Sequence, residues 1–196
     1  MDERLVGWAR AVKTRRRRCG HGSLPVLWLF TDARLPDPLP AIARLPRGLA
    51  GVVLRDDARP DRAALAGRVA ALCRQRRLAL SVAGDWRLAA RLGAGLHLRG
   101  GRRPGAAPRH LPALTSSAHG VADLVRARRA GVRLAFLSPA FVTRSHPGAV
   151  PLGPLRWGLA AGRVGGAAAL GGMAGAAPRR LPPRRCRGAG AIGALV

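Results

Sequence analysis

Eight short runs of apolar and small residues, separated by segments of helical pattern, constrain the fold of this chain most strongly. The first run, at 26–30, is apolar at every position, which is typical of a strand buried on both faces. Further runs follow at 50–54, 78–82, 95–98, 113–116, 134–137, 167–170 and 189–192. The segments between them predict helices at 38–45, 62–75, 86–92, 121–130 and 154–160, and a Pro- and Arg-rich helix after the seventh run. This alternation favours a parallel sheet, and because βα crossovers are right-handed, eight such units can close into a barrel.

An open, doubly wound sheet is the competing fold. It would need a glycine-rich phosphate turn after the first strand, and Thr31-Asp32-Ala33-Arg34 contains no glycine. We therefore predict an α/β protein with a single TIM-type (β/α)8 barrel. A chain of 196 residues makes this barrel compact, with shortened helices. The barrel is assigned to residues 24–196, and residues 1–23 are assigned to a basic N-terminal extension, helical from Glu3 to Val12.

The charge of the chain is extreme, with 35 lysines and arginines against 9 acidic residues and a net charge of +26. Most arginines are scattered over apparent helix faces, and only the segment 13–18 forms a dense run. We expect a solvated extension that binds polyanions weakly and in a salt-sensitive way. No aromatic residue that would stack on bases lies within the run, so no specific nucleic-acid partner is expected. A basic nucleic-acid-binding protein that uses this segment is the alternative.

Location is predicted from three features of the sequence. No apolar run approaches the ~20 residues needed to span a bilayer, so no membrane association is expected. The first residues, Met1 to Arg4, are charged and lack the apolar stretch of a secretory signal. Cys19, Cys73 and Cys186 are widely spaced and form no CxxC motif, which indicates free thiols in a reducing compartment. We therefore predict a cytoplasmic protein.

The functional groups of such a barrel gather at the carboxyl ends of its strands. Glycine-rich turns follow the last two strands, and their backbone N–H groups are suited to a phosphate. In a sequence this rich in glycine and alanine, tight packing is the alternative reason for these residues. The loop after the sixth strand adds hydroxyl groups and a histidine, which either contact a phosphate or bond their own backbone. The candidate phosphate-binding residues are Thr143, Ser145, His146, Gly171, Gly172, Ile192 and Gly193.

The order and spacing of six short motifs resemble the family of thiamine phosphate synthase and the TenI-type thiazole tautomerase. The motifs are LWLFTD at 27–32, VVLRDD at 52–57, GAGLHL at 93–98, SAH at 117–119, SPAFVTRSHPG at 138–148 and ALGGM at 169–173. The resemblance implies a TIM barrel and thiamine biosynthesis. The synthase joins an aminopyrimidine pyrophosphate to a thiazole phosphate with the help of Mg²⁺. The tautomerase moves a proton on a carboxythiazole phosphate without a metal.

The resemblance also implies roles for single residues. Arg55 would hold a phosphate or pyrophosphate group, and Ser117 would contact the substrate. His119 would carry the proton, because imidazole exchanges protons near neutral pH. The alternative for His119 is a histidine at the start of a helix that bonds only local backbone.

Several positions depart from the synthase pattern. The family's pair of Asn and Asp is Ala83-Gly84 here, and its second acidic metal ligand falls near 100–102, which contains none. Two cations of the family are replaced by Asp57 and His146, and a glutamine by Val53. No metal ligand is therefore expected, with Asp85 a ligand only if its loop shifts. No cofactor is expected either, apart from Mg²⁺ if synthase activity is retained.

We expect a protein that binds a thiazole phosphate and is tautomerase-like or diverged from the synthase. If it is an enzyme, it is a thiazole tautomerase (isomerase) or a thiamine phosphate synthase (transferase). The alternatives are an active synthase and a non-catalytic barrel that binds a phosphorylated ligand. The expected partner is a small phosphorylated thiazole, and the resemblance also implies association into homo-oligomers.

Overall fold

The computed structural model describes residues 1–18, 24–55, 57–108, 110–143 and 148–196. Eight parallel strands form a closed barrel in which each strand pairs with the next and β8 pairs with β1. The predicted TIM-type barrel is therefore confirmed. The strands are β1 (Leu27–Phe30), β2 (Ala50–Leu54), β3 (Ala79–Ala83), β4 (Gly95–Arg99), β5 (Ala113–Ala118), β6 (Leu134–Leu137), β7 (Ala167–Leu170) and β8 (Cys186–Ala191).

Among the described residues, four helices of the outer layer have ten residues or fewer, as expected for a chain of this length, whereas the first and third are longer. The helices are α1 (Glu3–Arg18), α2 (Leu39–Arg44), α3 (Arg62–Arg76), α4 (Trp86–Arg91), α5 (Val121–Arg129) and α6 (Gly153–Gly162). The prediction of a helix after β7 is wrong, because only a 3-10 turn, Ala177–Arg180, forms there. Prolines explain the difference, since each lacks an N–H donor and limits the length of a regular helix. A second 3-10 turn, Gly193–Leu195, follows β8.

Aromatic side chains fill the barrel interior. Trp28 and Phe30 of β1 meet Phe136 of β6 edge to face, with ring centroids 6.1 and 4.9 Å from Phe136. Two glycines give these rings their space. A Cβ added at Gly51 would lie 2.9 Å from the Trp28 ring, and one at Gly190 would lie 2.6 Å from the Phe30 ring. The glycines of β2 and β8 therefore complement the large residues of β1.

One polar cluster lies inside this apolar interior. The Nδ1 atom of His97 lies 2.9 Å from the hydroxyl of Thr115, which lies 2.7 Å from the hydroxyl of Ser81. Burial, and to a smaller extent the charge of Arg55, lowers the pKa of His97 to about 3. His97 is thus a neutral residue of the packed core.

Helix α1 packs against the barrel, so the expectation of a solvated N-terminal extension is wrong for it. Leu5, Ala9 and Val12 are buried, and the helix contacts β8. Its first turn is fixed by Asp2, whose backbone N–H donates to the Ala194 carbonyl at 2.9 Å and whose carboxylate accepts from Gly175. Because the chain after β8 forms only a 3-10 turn, α1 supplies the helix that covers β8.

Of the helices that the structure describes, none combines the length and the hydrophobicity that crossing a lipid bilayer requires.

Candidate functional site

A cavity of about 830 Å³ opens where the strands end. Its wall includes Phe30 at the end of β1, Arg55 after β2, His119 after β5, Ser138 after β6 and Gly172 after β7. These residues all lie at the carboxyl ends of their strands, which is where TIM barrels carry their active sites. The cavity is therefore the candidate functional site.

Glycines after β7 and β8 form one side of this cavity, as the sequence predicts. Gly171 and Gly172 adopt φ values of +91° and +67°, which disfavour any other residue. A Cβ added at Gly172 would lie 2.5 Å from the Val142 carbonyl oxygen, so the loop after β6 rests directly on this turn. Ile192 and Gly193 line the cavity beside them, and a Cβ added at Gly193 would meet open space.

Three backbone N–H groups on this glycine side have no backbone acceptor among the described residues. Within the described part of the chain, no backbone carbonyl accepts a hydrogen bond from the N–H groups of Gly171, Gly172 or Gly193. The packing alternative explains Gly172, whose lack of a side chain lets the β6 loop approach. It does not explain Gly193, which has space for a side chain. Backbone N–H groups of residues that line a cavity, when no backbone carbonyl accepts from them, are suited to phosphate oxygens.

His119 stands on the cavity wall with one ring nitrogen fixed. Its backbone N–H donates to the Asp123 carboxylate at 2.9 Å. Its ring Nδ1 lies 3.3 Å from the Ser138 carbonyl oxygen and 3.4 Å from the Ser138 hydroxyl. The carbonyl oxygen can only accept, so a hydrogen bond to it places a proton on Nδ1, whereas the Ser138 hydroxyl can either donate to that nitrogen or accept from it. The ring bonds the neighbouring strand end rather than its own helix, which differs from the local-backbone alternative.

Arg55 brings positive charge to the same cavity. Its Nη2 lies 3.0 Å from the Asp32 carboxylate, and its guanidinium stacks 5.7 Å from the centre of the Phe30 ring. Arg34, which also lines the cavity, pairs with the same carboxylate. Burial alone would raise the pKa of Asp32, but hydrogen bonds from Arg34 and the charges of both arginines lower it. Two arginines share one carboxylate, so this wall keeps a net positive charge.

The remaining predicted site residues are placed differently. Thr143 lines the cavity. Ser117 lies in β5, two residues before His119, and is not among the residues that line the cavity. Ser145 and His146 lie outside the described residues. Sequence reasoning missed Ser138, whose position between the end of β6 and Pro139 was the available signal.

The donors at the ends of β3 and β4 do not fit a magnesium ion. The Asp85 carboxylate accepts the backbone N–H of Leu88 at 2.9 Å and so caps α4. Carboxylates from other elements lie over the glycines where the family's ligands would stand: a Cβ at Gly84 would lie 3.1 Å from Asp57, and one at Gly100 would lie 3.2 Å from Asp123. Asp57 and Asp123 are themselves paired with arginines. Across the described ranges, no three His, Cys, Asp or Glu side chains form a group suited to a metal.

Comparisons with known proteins agree with the fold and the motifs. A family model described as thiamine monophosphate synthase matches residues 32–194. The chain is similar in structure to a thiamine phosphate pyrophosphorylase from Pyrococcus furiosus, with a TM-score of 0.68, 18% sequence identity and coverage of 87% of this chain and 86% of that one. A thiamine phosphate pyrophosphorylase from Bacteroides thetaiotaomicron gives a TM-score of 0.57 at 16% identity, with coverage of 87% and 83%.

A variant of the citrate synthase SbnG is also similar, with a TM-score of 0.51, 14% identity and coverage of 80% of both chains. At these identities the solved structures support the fold alone. No curated protein matches the chain.

Proposed function

Because this chain belongs to the thiamine monophosphate synthase family, we propose that it binds a thiazole phosphate, or a similar phosphorylated heterocycle, in the cavity at the carboxyl end of the barrel. There it moves a proton on the bound ring, as a tautomerase-like or diverged member of the family. The observation that carries this proposal is the placement of His119 on the cavity wall, with Nδ1 next to the carbonyl and hydroxyl oxygens of Ser138.

The phosphate group is proposed to lie at the glycine side of the cavity. The N–H groups of Gly171, Gly172 and Gly193 would donate to its oxygens, since no described backbone carbonyl takes them. Thr143 lines the same cavity and would add a hydroxyl donor. Arg34 and Arg55 also line the cavity, and their positive charge would favour an anionic ligand.

The heterocycle would lie between these two sides and next to His119. A neutral imidazole with a free Nε2 accepts a proton from one atom of the ring and returns it to another. A proton on Nδ1, donated to the Ser138 carbonyl, would give the tautomer that this step needs. The step needs neither a leaving group nor a metal.

An active thiamine phosphate synthase is the second candidate, and family membership favours it. Its pyrophosphate and Mg²⁺ would need cations and carboxylates at the ends of β2, β3 and β4. There Asp85 caps a helix and Asp57 is paired with arginines. Because these carboxylates already have partners, the site favours the proton-transfer reaction, and we derive no step through a metal. A barrel that binds the ligand without turnover is the remaining alternative.

The test compares wild type with His119→Asn in the interconversion of carboxythiazole phosphate tautomers, followed by ¹H NMR. We expect the variant to be slower by about 10²–10⁴-fold, the usual contribution of a general acid–base group. His110→Asn is the matched control, because His110 is an exposed residue that does not line the cavity. Equal rates for wild type and His119→Asn would contradict the role of His119. Calorimetric binding of thiazole phosphate without any conversion would identify a non-catalytic barrel.

A further inference from the structure

A second set of charged residues lies at the mouth of the barrel, outside the wall of the large cavity. Asp57, two residues after Arg55, lies between Arg62 of α3 and Arg99 at the end of β4. One carboxylate oxygen of Asp57 lies 3.0 Å from Arg62 Nη2, and the other pairs with Arg99. Arg62 also donates to the Ala83 carbonyl at the end of β3. This charged group joins the ends of β2, β3 and β4.

The backbone below Asp57 leaves space for its carboxylate. Gly84 has a φ of +75°, and a Cβ added there would lie 3.1 and 3.2 Å from the two Asp57 oxygens. Those contacts are tighter than ordinary van der Waals separation, so a side chain at position 84 would displace the carboxylate. The glycine and the acid thus complement each other across two neighbouring strand ends.

The arginines retain donor capacity that Asp57 does not use. Arg62 Nε is buried and has no hydrogen-bond partner in the described structure. Asp57 gives one oxygen to each guanidinium, whereas a guanidinium carries five N–H donors arranged for two-pronged contacts. A phosphoryl group has more acceptor oxygens than a carboxylate and a larger charge, so it would satisfy two arginines better.

We propose that Arg62 and Arg99 form a binding site for a phosphoryl anion that the chain fills with its own Asp57 carboxylate. Asp57 is thereby a specificity-determining residue that excludes a diphosphate from this side of the mouth. The inference deepens the proposed function, and the choice of a diphosphate as the excluded group rests on the synthase reaction given there as the second candidate. A thiazole phosphate at the glycine side of the cavity is unaffected, because none of these three residues lines that cavity.

The charge balance gives the direction of the effect. With Asp57 ionised, the two arginines carry a net charge of +1 together with it, which binds a polyanion weakly. Replacing Asp57 by Asn removes the carboxylate that pairs with both arginines among the described residues, so an added anion no longer competes with it. Charge-assisted hydrogen bonds from arginine are among the strong ones in proteins.

The experiment is calorimetric titration of inorganic pyrophosphate into wild type, Asp57→Asn and Asp61→Asn at fixed, near-physiological salt. Asp61→Asn is the matched control, because it also removes one carboxylate paired with an arginine and changes the net charge equally. We expect Asp57→Asn to bind about tenfold more tightly, or more, than both other proteins. The gain should disappear in Asp57→Asn combined with Arg99→Gln. Equal affinities for Asp57→Asn and Asp61→Asn would overturn the inference.

A second variant and a second ligand keep the result clear. If Asp57→Asn does not fold, Asp57→Ser answers the same question with a smaller neutral side chain, and its melting temperature should rise with added pyrophosphate more than that of wild type. Binding of thiazole phosphate is measured on the same proteins. If pyrophosphate affinity rises in the Asp57 variant while thiazole phosphate binds to none of them, the inference stands and the proposed function fails. The reverse pattern overturns the inference alone.

Discussion

Two histidines of the barrel have opposite chemistry because of their depth. His97 lies in β4 inside the barrel, bonded to Thr115 and in edge-to-face contact with Phe30, with ring centroids 5.6 Å apart. His119 lies at the mouth, exposed, with one ring nitrogen held by Ser138. Burial makes the first a neutral structural residue, and the second is the histidine that we propose for proton transfer.

The buried histidine predicts a pH dependence of stability. Its pKa is lowered to about 3 in the folded protein and is near 6.5 in the unfolded chain. Between these values the unfolded state binds the proton, so the free energy of unfolding falls as pH falls below about 6.5. The expected slope approaches about 1.4 kcal/mol per pH unit once pH is well below 6.

Urea unfolding at pH 7, 6 and 5 measures this slope, and His97→Gln should remove it. The range stays above the pH at which ordinary carboxyl groups titrate. A variant without His97 that loses stability with the same slope would refute the assignment.

The position of a single site residue was predictable only where it belonged to a motif or came at the end of a predicted strand. Gly171, Gly172, Ile192 and Gly193 line one cavity as the sequence predicts. The pairing of Asp57 with Arg99 was not predictable, because the two residues are distant in sequence and meet only after the ends of β2 and β4 come together.

Elements were predicted well where hydrophobicity dominates and less well where arginine interrupts it. The bounds of β2, β6 and β7 agree with the apolar runs. Strand β8 begins at Cys186 rather than at 189, because Arg187 hides the apolar pattern while the pairing with β7, which places Ala167 opposite Cys186, extends the strand. Helix α1 continues to Arg18 because arginine favours helices, and its apolar face was obscured by the surrounding charge.

The packing of α1 gives a prediction at the scale of the element. Leu5 has no exposed surface and belongs to the main core cluster. We expect Leu5→Ala to lower the free energy of unfolding by about 2–4 kcal/mol, through lost burial and the cavity that remains. Arg10→Ala, on the exposed face of the same helix, should change it by less than about 0.5 kcal/mol. Thermal and urea unfolding of both variants test this, and a small effect of Leu5→Ala would mean that α1 does not pack on the barrel in solution.

At the scale of the whole molecule, the barrel brings together the residues at the carboxyl ends of its strands. The match over residues 32–194 places the chain in the thiamine monophosphate synthase family, and the closed sheet agrees with it. The glycine side and His119 line one cavity, in which we propose that a phosphorylated ring binds and a proton is moved. At the ends of β2 to β4, Asp57 and Asp85 are held by arginines and by a helix N-terminus. We therefore propose that this chain binds a phosphorylated ligand but does not condense it with a pyrophosphate ester.

The most direct test of this proposal is the formation of thiamine phosphate. Purified, folded protein is incubated with aminopyrimidine pyrophosphate, thiazole phosphate and Mg²⁺, and the mixture is resolved by chromatography. The account predicts no thiamine phosphate above the level of a reaction without protein. Formation of thiamine phosphate at a catalytic rate would contradict it, and would mean that other groups of this chain perform the work of the replaced carboxylates.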